Sequence, residues 1–227
     1  MLMVVFLALV LGLALLPQMW VRRVIARHSA DRPDFPGTGG EFARHLLDGL
    51  KLGHVKVEET ALGDHYDPDA KAVRLLPQHF GGRSLAALVI AAHETGHAMQ
   101  DAAHYQPLES RTRLAKQAMT LEKVGAVVML AAPIMVALAK SASILLVEFA
   151  AGVLILGLSL VLHAYTLPVE FDASFRRALP LLKAGRYIPD RDLPAARQIL
   201  RAAAFTYVAA AGMSLLDVMR WLRVLRL

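Results

Sequence analysis

The 227-residue chain contains no cysteine, which removes disulfides, thiolate metal ligands and a cysteine nucleophile together. Any metal it holds must be taken by His, Asp, Glu or water. Charged residues make up only 19%, lean for a water-exposed domain, against 56% hydrophobic residues. The net charge of +6 has no aromatic-interleaved basic run behind it, so nucleic acid is not an expected partner and anionic lipid headgroups are the better counterpart. Internal repeats and low-complexity tracts are missing, as are the basic n-region and A-x-A site of a cleaved signal peptide. A mainly α membrane protein is the class these absences leave, its transmembrane helices joined to one small α+β domain.

What is present gives that class an order along the chain. Residues 1–21 are nearly uninterrupted Leu, Val, Ala and Met, long enough to cross a hydrocarbon core, with Trp20 at the edge and Arg22, Arg23 and Arg27 following. This reads as an N-terminal anchor with the next segment in the cytoplasm. A loop covers 31–40 and a helix 41–50. Val55, Val57 and Glu59 alternate with polar neighbours, residues 71–76 form a second strand, and the turn chemistry of 65–69 between them predicts one short β-hairpin. After Gly81 and Gly82, Ser84 caps a helix running through about Ala103, and the domain is bounded at 31–118. The apolar stretches within 124–163, interrupted near Lys140, predict a transmembrane hairpin, with Glu148 at its far interface. A cationic cytoplasmic segment, 164–200, follows, and the apolar helix 202–219 is read as a span or an interfacial helix.

His93-Glu94-Thr95-Gly96-His97 is an H-E-x-x-H sequence within the predicted helix. The i, i+4 spacing sets both imidazoles on one face, where they can hold one Zn²⁺ per chain, and places Glu94 beside the ion as a general base. Gly96 would let another backbone approach closely. A hydrolytic site needs a third protein ligand and an open position. Glu170, in Pro168-Val169-Glu170-Phe171-Asp172-Ala173-Ser174, fits, because two predicted crossings return it to the membrane face that carries His93. Pro168 would start its helix. Asp172, Ser174 and Asp101, the last at i+4 from His97, are candidates to brace the ligands from behind. His104, Tyr105, His163, Tyr165 and Tyr207 read as packing, surface or interfacial residues, and Leu47-Asp48-Gly49 precedes the helix in a polar region and is set aside.

With these residues in view, the chain resembles the YugP-like neutral zinc metallopeptidases of bacterial membranes. The stretches that carry the resemblance are DHYDPDAKAVRL from Asp64, AAHETGHAMQ from Ala91, YQPLESR from Tyr105, TLPVEFDAS from Thr166 and FTYVAAA from Phe205. The resemblance implies a zincin-like domain and a gluzincin-type site with Glu170 as third ligand. More distantly, EFDAS is similar to the E-F-x-A-D element of HtpX-like membrane proteases, in which the final Asp braces a zinc-bound His. Ser174 stands where that Asp would be, which divides the bracing role between Ser174 and Asp172.

The function these readings lead to is a zinc-dependent endopeptidase at the cytoplasmic surface of a bacterial inner membrane. Its expected partners are the lipid bilayer and a peptide or membrane-protein substrate, laid as an added strand against 71–76. A zinc-binding membrane scaffold without turnover is the alternative, disfavoured because a structural site has no use for Glu94.

Overall fold

Thr38 caps the first short helix of the fold: its hydroxyl accepts from the Glu41 amide at 3.3 Å, and the Glu41 carboxylate accepts from the Thr38 amide at 2.8 Å. That helix, α2 (Gly39–Gly49), follows the long α1 (Leu2–Arg27). After it come β1 (Lys56–Glu59), β2 (His65–Asp67), β3 (Ala72–Leu75), the one-turn α3 (Pro77–Phe80) and α4 (Leu85–Ala102). Beyond α4, residues 106–120 and 165–171 are helical. A π-helical segment, Asp172–Ala178, and the helices Leu179–Ala184 and Leu193–Ala204 then follow. The computed structural model describes residues 2–120, 123, 162 and 165–206.

Two compact units divide the chain. One comprises Met19–Glu109 and Leu167–Thr206; the other comprises Met1–Gln18, Ser110–Thr166 and Tyr207–Leu227. What is described of the second unit is helical, and in it Thr166 Oγ1 donates to the Leu162 carbonyl at 2.8 Å. The first unit is built around α4. Ser84 caps α4 by accepting from the Ala87 amide at 3.1 Å, and the helix is then buried on every side, from Leu85 through Ala98. An all-round apolar helix needs neighbours on each face. Here they are α2, α3, the sheet, the π-helical segment and Leu193–Ala204. Ala43, Leu46 and Leu47 bury α2 in this core, and Ile199 and Leu200 bury the last helix in it.

The expectation of a mainly α membrane protein with transmembrane helices is corrected: among the described residues, no helix is long and apolar enough to cross a membrane. The chain is helical with a small three-stranded sheet. Apolar composition records burial without saying what does the burying. In α4 it is protein, and Val21 and Val24, at the foot of the expected anchor, are packed into the same protein core. The expected hairpin of 124–163 lies outside the described residues apart from Leu162, and the expected helix of 202–219 is described only to Thr206.

The sheet corrects a second expectation. Its order is β1-β3-β2, with β1 parallel to β3 and β2 antiparallel to it. The segments expected to form the hairpin are therefore parallel partners, in register Val57↔Val73, and the true hairpin is β2–β3, with Tyr66↔Val73. Turn chemistry is present but starts later than its composition suggested: Asp67 Oδ1 accepts the amides of Asp69 at 2.9 Å and Ala70 at 3.0 Å. Tyr66, within the expected turn, is instead a buried strand residue. Because β3 is central, both of its edges are already paired, and no substrate strand can be added to 71–76.

Candidate metal centre

One turn apart on α4, the rings of His93 and His97 stand nearly perpendicular with centroids 4.8 Å apart. Glu170 reaches them from the opposing segment, its Oε2 lying 3.1 Å from His93 Nε2 and 3.2 Å from His97 Nε2. All three potential ligand atoms lie within 4.8 Å of one another, and all three residues are buried. Tetrahedral zinc with bonds of about 2.0–2.1 Å has ligand–ligand edges of about 3.3 Å, so these two separations suit such an ion.

The local fold explains the convergence. Pro168 falls inside a helical run already under way at Tyr165, and the chain widens into the π-helical segment two residues after Glu170. Wider turns of this kind recur at functional sites because they re-aim side chains within one helix. Glu170 meets Nε2 of His93 while Ser174, four residues on, meets its Nδ1. Gly96 makes the approach possible: a Cβ there would stand 2.7 Å from the Ala173 carbonyl oxygen. The close backbone approach expected at that glycine is the one observed.

Hydrogen-bond partners outside the cluster assign the ring protons. Ser174 Oγ has one proton and two neighbours, the Leu200 carbonyl at 3.1 Å and His93 Nδ1 at 3.0 Å. The carbonyl can only accept, so Ser174 donates to it and accepts from His93 Nδ1–H. Gln100 Nε2 lies 2.8 Å from the Val169 carbonyl and 2.9 Å from Asp172 Oδ2, both acceptors, which turns Oε1 toward His97 Nδ1 at 2.9 Å. His97 therefore also carries its proton on Nδ1. Two Nε2 lone pairs and a carboxylate oxygen are left facing one another, an arrangement complementary to a cation. Burial raises the Glu170 carboxyl, and positive charge on His97 and His93, or a cation taking the place of their protons, is what holds it below the usual range.

The remaining predicted residues fall as follows. Glu94 is buried on α4 beside His93. Asp172 meets the histidines only through Gln100 and binds Arg177 Nε at 2.7 Å. Its burial would raise the carboxyl, and the hydrogen bonds from Arg177 and Gln100 bring it below the ordinary value. Asp101 engages Tyr66 Oη and Lys71 Nζ, both at 2.6 Å, and so ties β2 and its turn to the end of α4. His104 is on the surface, Tyr165 is partly exposed, Tyr105 lies under the Arg177 guanidinium, and His163 and Tyr207 are outside the described residues. Sequence reasoning missed Gln100 and Arg177. A signal for the first was available, since Gln100 is at i+3 from His97 on the same helix.

Fold and site define a helical protein with a buried two-histidine, one-carboxylate cluster, and residues 2–226 match the family described as "Putative neutral zinc metallopeptidase". The chain belongs to that family. It is similar to the "Putative membrane protease YugP" of Bacillus subtilis (strain 168), with 32% identity over 216 residues that cover 94% of this chain and 92% of the relative. No solved structure matches it.

Proposed function

We propose that the chain is a zinc-dependent endopeptidase in which His93, His97 and Glu170 hold one zinc ion and Glu94 is the general base. The observation that carries this reading is the convergence of three buried ligand atoms, two of them imidazole nitrogens of rings whose protons are spent elsewhere. When bound, zinc supplies Lewis acidity toward a peptide carbonyl and brings the pKa of water to about 7. Glu94, next to a ligand on the same helix, takes the proton from the attacking water and delivers it to the departing amine as the water oxygen bonds to carbon and the C–N bond breaks. The family's description supports zinc and peptide hydrolysis, and the relative's name supports a protease associated with a membrane. A peptide substrate or a segment of a membrane protein is the partner this favours, with the lipid bilayer nearby.

The test pairs metal content with turnover. Glu94→Gln should abolish cleavage of a model membrane-protein substrate and keep near-stoichiometric zinc, whereas Glu170→Ala should lose the zinc itself. Unchanged turnover in the first variant would remove Glu94 from its role, and full zinc affinity in the second would remove Glu170.

A further inference from the structure

Behind His93 stands Ser174, a short hydroxyl backed by a main-chain carbonyl. Behind His97 stands the fully buried Gln100, which contributes one acceptor to the ring and two donors to the opposite segment. Those two donors land on Val169 and Asp172, on either side of Glu170 in the sequence. One amide thus grips an imidazole on α4 and, at two points, the stretch of chain that presents the carboxylate. Asp172 is a firm anchor, since its Oδ2 also accepts from Arg177 Nε at 2.7 Å.

We propose that Gln100 is the positioning residue that sets His97 and Glu170 in register, fixing the proton of one on Nδ1 while pinning the backbone that carries the other. The chemistry requires an amide. A carboxylate could accept from His97 but would have nothing to donate to the Val169 carbonyl, and it would bury a second acid against Asp172. An aliphatic side chain would provide neither bond and would leave the Nδ1 donor of His97 buried without an acceptor. The inference rests on reading His97 and Glu170 as zinc ligands and concerns how they are held.

Full-length wild type, Gln100→Leu and Gln100→Glu are compared in two measurements. One is zinc affinity by competition with a chelator; the other is the ¹⁵N shift pattern of the histidines in zinc-free protein at a pH where the rings are neutral. In wild type His97 should show a single Nδ1–H tautomer. In Gln100→Leu that tautomer should become mixed while His93, held by Ser174, keeps its own, and zinc affinity should fall about 10–100-fold. Gln100→Glu should restore the tautomer and still bind zinc at least about tenfold more weakly, because the grip on the Glu170 segment is gone. Wild-type affinity in either variant overturns the proposal, as does loss of affinity in Gln100→Leu with its His97 tautomer unchanged. If Gln100→Leu does not fold, the affinity of Gln100→Glu decides alone. A wild-type chain that took up no zinc would sink the metallopeptidase reading, and the tautomer comparison would still decide the role of Gln100.

Discussion

A single methyl group at Gly96 tests whether the packing of two helical segments and the geometry of the metal centre are one property. In Gly96→Ala the new Cβ would meet the Ala173 carbonyl oxygen at 2.7 Å and the Ala173 Cα and carbonyl carbon at 3.3 Å. These are main-chain atoms, so no side chain can rotate aside. Opening the first contact to an ordinary separation of about 3.4 Å requires α4 and the π-helical segment to part by about 0.7 Å. Overpacking of this kind costs ~1–3 kcal/mol, and the better helix propensity of Ala offsets up to ~1 kcal/mol of that. With the full offset the net loss is up to ~2 kcal/mol, which corresponds to a melting temperature lower by as much as about 8 °C. The metal centre should suffer more. Zinc–ligand distances tolerate only about 0.2 Å, and the segment that shifts carries Ser174 and begins two residues after Glu170, so zinc affinity should fall at least about tenfold. Thermal melting and chelator competition measure the two effects. Gly49→Ala is the control, because a Cβ at Gly49 meets nothing within 4 Å and should cost nothing in either assay. The reasoning is refuted if Gly96→Ala matches Gly49→Ala in both.

Three further outcomes are expected. Ser174→Ala removes the acceptor for His93 Nδ1–H and should weaken zinc binding about 10–100-fold in the same competition assay; undiminished affinity would exclude the bracing role. Asp101→Asn should leave zinc affinity within about twofold of wild type and lower the unfolding free energy by ~1–2 kcal/mol in a urea titration, since its bonds go to Tyr66 and Lys71 and not to the ligands. The hydrogen bond from Arg32 holds Asp34 down from 3.8 to about 2. A depressed carboxylate stabilises the fold above its unfolded value, and that contribution disappears as pH falls from 3.8 through about 2. Across that interval the melting temperature of wild type should drop further than that of Asp34→Asn, and parallel acid curves would contradict the assignment.

The legible parts of this molecule were those written in a few adjacent residues. His93 and His97 announce their shared face by spacing, Ser84 its cap, and Gly96 its close neighbour. Ser174 was visible as one of two bracing candidates, and its place behind His93 came only from the fold. The parallel pairing of β1 with β3 was not legible, because alternation marks a strand without naming its partner or direction. β2 was hidden for a different reason: three residues, bounded by Asp64 and by the Asp67 turn, give too short a period to outweigh their turn-forming composition. Gln100 escaped because a neutral amide on an apolar helix has no charge to draw attention, whereas Asp101, one residue on, did. The apolar content misled at the end of the expected anchor, where Val21 is buried in a protein core together with Val24 just beyond it.

The bracing network also explains how so small a unit can bury so many polar groups. Asp172 is charge-balanced by Arg177 at 2.7 Å, and Gln100 spends both donors and its acceptor. Ser174 spends its proton on a carbonyl. Each outer group is therefore satisfied within the fold at little electrostatic cost, and Gln100 and Ser174 do so in a way that directs a ring proton outward. The inner atoms cannot donate to one another, because both rings have no second proton to give while neutral and Glu170 has none while ionised. Three electron-rich atoms at hydrogen-bonding distance repel unless a positive charge lies among them. A divalent cation would answer that demand for all three at once, where protons would have to be added one ring at a time, and metal binding and the stability of the α4 interface would then be two readings of the same interaction.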